Sequence, residues 1–353
     1  MTTSAAPVPV ARDPGLSYPF AQPPLPGGWQ ELAPGVFWVR MPLPFALDHI
    51  NLWVLRDGDG WTLVDTGLNS EPTRTHWEQV FAEGLAGRPV RRVVVTHYHP
   101  DHFGLAGWLV RRFGVELWMT ESEYLTALAY HTPLPAFTNL AAVELFARHG
   151  LDEPGQESVR NRKHTYPKAI SDPPSSFHRI LDGDRLDIDG RHWRVIVGTG
   201  HAPEHAALYC EELDLLISGD MVLPKISTNV SVWPSEPEGD PLSLFLRSVE
   251  RYARLPEDTL VLPSHGLPFH GLRIRAAALG HHHAARLEDL AAACERPASA
   301  WDVVPVLFRR QIDAHQILFA MGEAIAHLNH LLYQRRVTRE EGPDHVLRFM
   351  RTT

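Results

Sequence analysis

Cysteine is nearly absent. It occurs twice in 353 residues, at Cys210 and Cys294, so the chain offers no disulfide framework and neither thiol falls in a metal-ligand spacing. That scarcity suits a reducing compartment, and a cytoplasmic protein is expected. No apolar run approaches the roughly 18 residues a membrane helix requires. The opening MTTSAAPVPVARDPG also lacks the apolar stretch of a secretory signal, and no membrane partner is expected. Basic residues are outnumbered by acidic ones, 33 against 42, for a net charge of -9. This argues against nucleic acid as a partner, because phosphate binding needs clustered Lys and Arg; a local basic groove on an acidic protein would be the exception.

What the chain has in abundance is histidine, 21 of them. Histidine is the commonest metal ligand and the natural proton carrier near neutral pH, so position decides which of them matter. Residues 1–30 are rich in Pro, Gly and Ala without apolar periodicity and read as an extended arm. From Gly35 the pattern VFWVRM, then NLWVLRDGDGWTLVDTG, predicts strand, strand, tight turn and strand. Four apolar runs follow that each end in a potential ligand: VRRVVVTH at His97, WRVIVGTGH at His201, LDLLISGD at Asp220 and DTLVLPSH at His265. Ligands just past the carboxyl ends of strands lie where layered α/β proteins bind them. A helical insertion is expected at about 121–176, and a small, mostly helical C-terminal domain at 273–353. These flank and interrupt a catalytic domain at 31–272.

The segment THYHPDH places His97, His99, Asp101 and His102 within six residues. Side chains two apart at a strand end can face one ion, and a turn stiffened by Pro100 can carry Asp101 and His102 toward a second. His102 is expected to open the helix FGLAGWLVRRFG. Seven ligands result: His97, His99 and His201 on the first ion, Asp101, His102 and His265 on the second, with Asp220 bridging. Each ion keeps an open position, as a catalytic site needs. His205 reads equally well as a group behind the ligands or as a plain surface turn. The triplet His281 to His283, with His315, His327 and His330, lies on helical patterns and is read as structural. Lys225 is a candidate partner for a substrate carboxylate, against the alternative of an ordinary surface lysine.

The H-x-H-x-D-H run at His97 to His102 resembles the signature of the metallo-β-lactamase superfamily, and GTGHAPEH, SGD and PSHG match its later positions at His201, Asp220 and His265. VDTG at 64–67 resembles the family's early motif, whose aspartate, here Asp65, orients the metal-binding loop. The resemblance spans about residues 31–270. It implies an α/β fold, a four-layer αββα sandwich of two similar halves. The tail beyond 270 is similar to the winged-helix-like C-terminal domain of some members.

A dinuclear hydrolase is the implied function. Two divalent ions about 3.5–4 Å apart lower the pKa of a shared water to near neutrality and give a bridging hydroxide; Asp101 and Asp220 would hold the geometry and pass protons. The donor set suits zinc, with iron or manganese as alternatives. Oxygen-reducing di-iron relatives carry Glu where His99 stands, which favours hydrolysis. The glyoxalase-II-like branch cleaves thioesters, and a lid formed by 121–176 implies a small-molecule substrate, so a thioester, ester or lactone is expected. A homodimer is the expected assembly. The rival readings are a metal-dependent nuclease or phosphodiesterase acting on RNA or DNA, and a non-catalytic metal-binding regulatory module. A basic channel to the metals would favour the nuclease, and a closed, partly apolar pocket the small-molecule hydrolase.

Overall fold

The computed structural model describes residues 15–45, 47–308, 312 and 316–352. Residues 1–14 of the expected arm and His315 lie outside the described residues. Seven strands form the first sheet in sequence order: β1 (Trp29–Ala33), β2 (Val36–Pro42), β3 (His49–Asp57), β4 (Gly60–Val64), β5 (Val90–Val94), β6 (Glu116–Met119) and β7 (His178–Arg179). Strands β1 to β4 are antiparallel neighbours, and β4 to β7 run parallel. The second sheet has the order β12-β11-β10-β9-β8, built from β8 (Arg185–Ile188), β9 (Arg191–Gly198), β10 (His205–Cys210), β11 (Leu215–Gly219) and β12 (Leu260–Pro263). A separate hairpin, β13 (Val337–Glu341) with β14 (Leu347–Arg351), closes the chain.

The period-two alternation of the strands sorts side chains between layers. In β2, Val36 and Trp38 face the second sheet and join Trp53, Trp193, Val195 and Leu208 in the core between the sheets. Phe37, Val39 and Met41 point the other way. There they pack with Trp77 of α1 (Glu71–Gln79) and Leu109 of α3 (Ala106–Phe113), both outside the first sheet. Outside the second sheet lie α8 (Pro241–Tyr252), α9 (Leu272–Ala293), α10 (Ala300–Leu307) and α11 (Ile317–Tyr333). The layers therefore run helix, sheet, sheet, helix.

The segment 121–176 carries α4 (Glu121–His131), α5 (Asn139–Arg148), α6 (Glu153–Arg160) and α7 (Tyr166–Ala169). Phe146 and Val159 of α5 and α6 share one core with Leu290 of α9, Val303 of α10 and Ile325 of α11. The C-terminal helices and part of the insertion thus complete a single outer layer. Among the described residues no helix is long and apolar enough to cross a membrane.

Candidate metal centre

Strands β9, β11 and β12 run in one direction and β4 and β5 run parallel to each other. Asp65, His97, His201, Asp220 and His265 each lie within three residues of a strand's carboxyl end. His99, Asp101 and His102 follow on the turn after His97. Here the structure corrects one expectation: the helix opens earlier than His102. A short helix α2 (Pro100–Phe103) starts at Pro100 and contains His102, and α3 begins only at Ala106. Proline at the first helical position needs no intrahelical N–H bond, which sets the start there. A methyl group on Gly104 would lie 2.4 Å from the Gly67 carbonyl, so the break lets the turn press against the loop after β4.

Two sets of donor atoms converge. His97, His99, His201 and Asp220 form one, and Asp101, His102 and His265 the other, with the atoms of each set within 4.8 Å of one another. Nε2 of His97 lies 2.8 Å from Nδ1 of His99 and 3.3 Å from Nε2 of His201. Asp220 stands between the sets. Its Oδ2 is 3.5 Å from Nε2 of His201 and 4.0 Å from that of His97. Its Oδ1 is 3.4 Å from Nε2 of both His102 and His265. Asp101 Oδ2 lies 3.5 Å from Nε2 of His265 and 3.8 Å from that of His102.

The outward side of each imidazole fixes its tautomer. Nδ1–H of His102 donates to Asp65 Oδ2 at 2.8 Å. That of His201 donates to the Asn229 carbonyl, and that of His265 to the His49 carbonyl, both at 2.8 Å. The Thr96 hydroxyl gives its proton to Asp65 Oδ2 and so accepts from His97 Nδ1–H at 3.0 Å. Four Nε2 lone pairs are left facing inward toward carboxylate oxygens. Nε2 of His102 and Oδ1 of Asp220 are buried without a hydrogen-bond partner. Buried acceptors crowded against acceptors are costly unless a cation sits among them. The residues fit a divalent metal.

The proton equilibria divide the cluster between groups that favour positive charge and groups that refuse it. Burial pulls the His102 pKa down, but Asp65, Asp220 and Asp101 outweigh it and hold it well above the usual imidazole range. His265 is likewise raised, burial being overcome by Asp220 and Asp101. His97 goes the other way, depressed by burial and by its neighbours His102 and His99. Burial opposes ionisation of Asp220, yet His265 and His102 hold it well below the usual carboxylate range.

Asp65 is the keystone beneath these ligands. Its backbone adopts φ 62°, a left-handed conformation that costs a non-glycine residue of order 1–3 kcal/mol and clusters at functional sites. The twist lets its carboxylate accept from Thr96 N at 2.8 Å, Thr96 Oγ1 at 2.9 Å and His102 at once. His205 begins β10 and is wholly buried. Its Nε2 accepts the Asp220 N–H at 3.2 Å, so it sits directly behind that residue. A methyl group on Gly219 would fall 2.1 Å from that nitrogen, which is why only glycine fits between them. Lys225 is exposed and forms no ion pair or hydrogen bond with a described residue.

Glu123 is a contributor that the sequence concealed. It is fully buried in the first turn of α4. Its Oε2 accepts the Tyr98 N–H at 2.9 Å and its Oε1 the Glu204 N–H at 2.7 Å. One carboxylate thus braces the loop of His97 and His99 and the loop that follows His201. The signal was a glutamate in ESEYLTALAY, indistinguishable in sequence from any solvated helix residue.

Two facing sheets with a histidine–aspartate cluster on their shared edge define a metallo-hydrolase architecture. The metallo-beta-lactamase superfamily model matches residues 46–265, and the metallo-beta-lactamase-like C-terminal domain model matches 287–352. The chain belongs to the metallo-beta-lactamase superfamily and is a metallo-hydrolase of that family. It is similar to a beta-lactamase domain protein from Burkholderia ambifaria, 50% identical with 97% of this chain and 100% of that one covered, TM-score 0.91. A metallo-beta-lactamase family protein from Thermus thermophilus, TTHA1429, is 35% identical over 91% of this chain and 100% of that one, TM-score 0.76. Among curated proteins, the probable metallo-hydrolase YqjP of Bacillus subtilis is 27% identical over 86% of this chain and 94% of its own length. The human acyl-coenzyme A thioesterase MBLAC2 is 25% identical over 55% of this chain and 65% of its own length.

Proposed function

We propose that this chain is a dinuclear metal-dependent hydrolase that opens a thioester, ester or lactone of a small molecule. The observation that carries the reading is the divided Asp220 carboxylate, one oxygen turned to His97 and His201 and the other to His102 and His265. His97, His99 and His201 would hold one ion, Asp101, His102 and His265 the other, and Asp220 both. Zinc suits these donors, and iron or manganese can use the same set. When bound, the ions supply Lewis acidity toward a carbonyl oxygen and a lowered pKa for water. The chain itself holds the ligand tautomers through Asp65, Thr96, Asn229 and His49. Asp101 and Asp220 are the groups placed to receive and pass on a proton at their carboxylate oxygens.

A cavity of about 260 Å³ adjoins the cluster, with His201 on its wall. Tyr98, Tyr130 and Phe137 form one side, and Val232, Trp233 and Leu244 the other. Its lining includes one carboxylate, Glu236, and no Lys or Arg. Such a pocket accepts an apolar acyl group and offers nothing to a phosphate backbone, which favours a small molecule over RNA or DNA. The similarity to an acyl-coenzyme A thioesterase supports a thioester in particular.

The test is hydrolysis of a panel of acyl thioesters, esters, lactones and short RNA by the zinc- and manganese-loaded protein. Release of free thiol or acid from at least one acyl substrate is expected, with turnover lost in Asp220→Ala. Cleavage of RNA alone, or full activity in Asp220→Ala, would overturn the reading.

A further inference from the structure

Residues 221–239, between β11 and α8, form no helix or strand. They nonetheless supply Ser231, Val232 and Trp233 to the cavity wall, and Asn229 to His201. A segment without its own hydrogen-bond ladder must take its shape from what it leans on. It leans on α11. The Val232 N–H donates to the Gly322 carbonyl at 3.0 Å, and Asn229 Nδ2 donates to Glu323 Oε2 at 3.4 Å. Two turns further on, Asn329 Nδ2 donates to the carbonyls of Pro237 at 3.1 Å and Gly239 at 3.0 Å. Tyr333 Oη donates to the Glu238 carbonyl at 2.6 Å, and His330 Nδ1 meets Asp240 Oδ1 at 3.0 Å.

Two features of the helix are otherwise hard to place. Asn329 is 1% exposed on a helix whose other buried residues are mostly apolar, and it is held there by its two N–H groups alone, its Oδ1 having no hydrogen-bond partner. Gly322 lies mid-helix, where glycine costs about 1 kcal/mol relative to alanine. A methyl group there would stand 2.8 Å from Ser231 Cβ and 3.1 Å from the Val232 carbonyl. Both residues give the wall its position.

We propose that α11 determines acyl-group specificity: by gripping residues 229–240 it fixes the width of a mostly apolar cavity that receives an uncharged acyl chain. Gly322 and Asn329 are the positioning residues, acting through the wall and not on the reacting atoms. The substrate class rests on the hydrolase reading above. The grip does not, because it is measured by binding without turnover.

The probes are octanoate and acetate, carboxylates that differ in chain length alone, titrated calorimetrically into the zinc-loaded protein. The wild type is expected to prefer octanoate. Gly322→Ala should push the wall inward and weaken octanoate at least tenfold, with acetate affinity and zinc content within twofold of wild type. Asn329→Ala should cut the octanoate-to-acetate ratio at least fivefold by freeing the Pro237 and Gly239 carbonyls. Adding Ser231→Gly to Gly322→Ala removes the nearest obstruction and should restore at least half of the lost discrimination. An unchanged ratio in both single variants overturns the proposal, as does equal loss for both probes or a double variant no better than Gly322→Ala. If either single variant fails to fold, the other decides. A wild type that binds octanoate selectively but cleaves no acyl substrate would defeat the hydrolase reading alone.

Discussion

The chemistry of this molecule is concentrated in a few side chains whose protons are committed elsewhere. Asp65 shows how. By accepting from Thr96 twice and from His102, it forces an inward lone pair on His102 and, through the Thr96 hydroxyl, on His97. Asp65→Asn keeps the shape but puts an amide where acceptors are needed. Loss of such an orienting partner lowers metal affinity by about 10–100-fold, measurable by competition with a chromophoric chelator; an affinity within twofold of wild type would remove Asp65 from this role. Glu123 works at longer reach. Burial pushes its pKa up to about 8, with the Glu204 and Tyr98 N–H bonds pulling the other way. Glu123→Gln must present an NH₂ to one of those two donors. The expected cost is about 1–3 kcal/mol, the penalty of a buried group left unsatisfied, read as a lower melting temperature at pH 8.

At the scale of elements, much of the site could be read directly from the chain. The four apolar runs ending at His97, His201, Asp220 and His265 correspond to β5, β9, β11 and β12, because buried strands leave their ligands at a common edge. Other elements left a weaker trace. All six residues of β10 are buried, so it lacks the alternation that marks a strand, and its first residue, His205, could be read as a turn. Strand β7 has two residues, too few for any periodic signal. The wall at 229–240 was invisible because its partners on α11 lie about 90 residues away in sequence. Helix α11 also carries a prediction. Burial holds the His327 pKa down to about 4, and the adjacent His283 is lowered further by burial and by His327. Below about pH 6.5 the unfolded chain takes up protons that folded His327 refuses, so stability is lost as pH falls from 6.5 through 4. This one residue accounts for roughly 3 kcal/mol over that window. His327→Gln should flatten the decline of melting temperature between pH 6.5 and 4, and an unchanged slope would contradict the assignment.

For the whole molecule, the large outer core joins the second sheet, the insertion and the C-terminal helices. Such a core draws residues from both sides of residue 287. A chain ending at residue 286 would lose Leu290, Val303 and Ile325 from the core they share with Phe245, Leu279 and Tyr252, and exposed apolar faces favour aggregation. The truncated chain is expected to be insoluble or molten, without a cooperative melt; a cooperative melt near that of the full chain would show that the outer layer is dispensable. The same continuity puts a C-terminal helix within reach of the histidine–aspartate cluster, through Glu323, Asn229 and His201.

Everything proposed for the chemistry depends on two sets of donors sharing Asp220. Metal content by inductively coupled plasma mass spectrometry, on protein stripped by chelator, reloaded with zinc and desalted, tests that most directly. Two equivalents per chain are predicted for the wild type, with about one for His265→Ala and for His201→Ala, since each removes a ligand from a different set. One equivalent or fewer in the wild type, or two in both variants, would contradict the account.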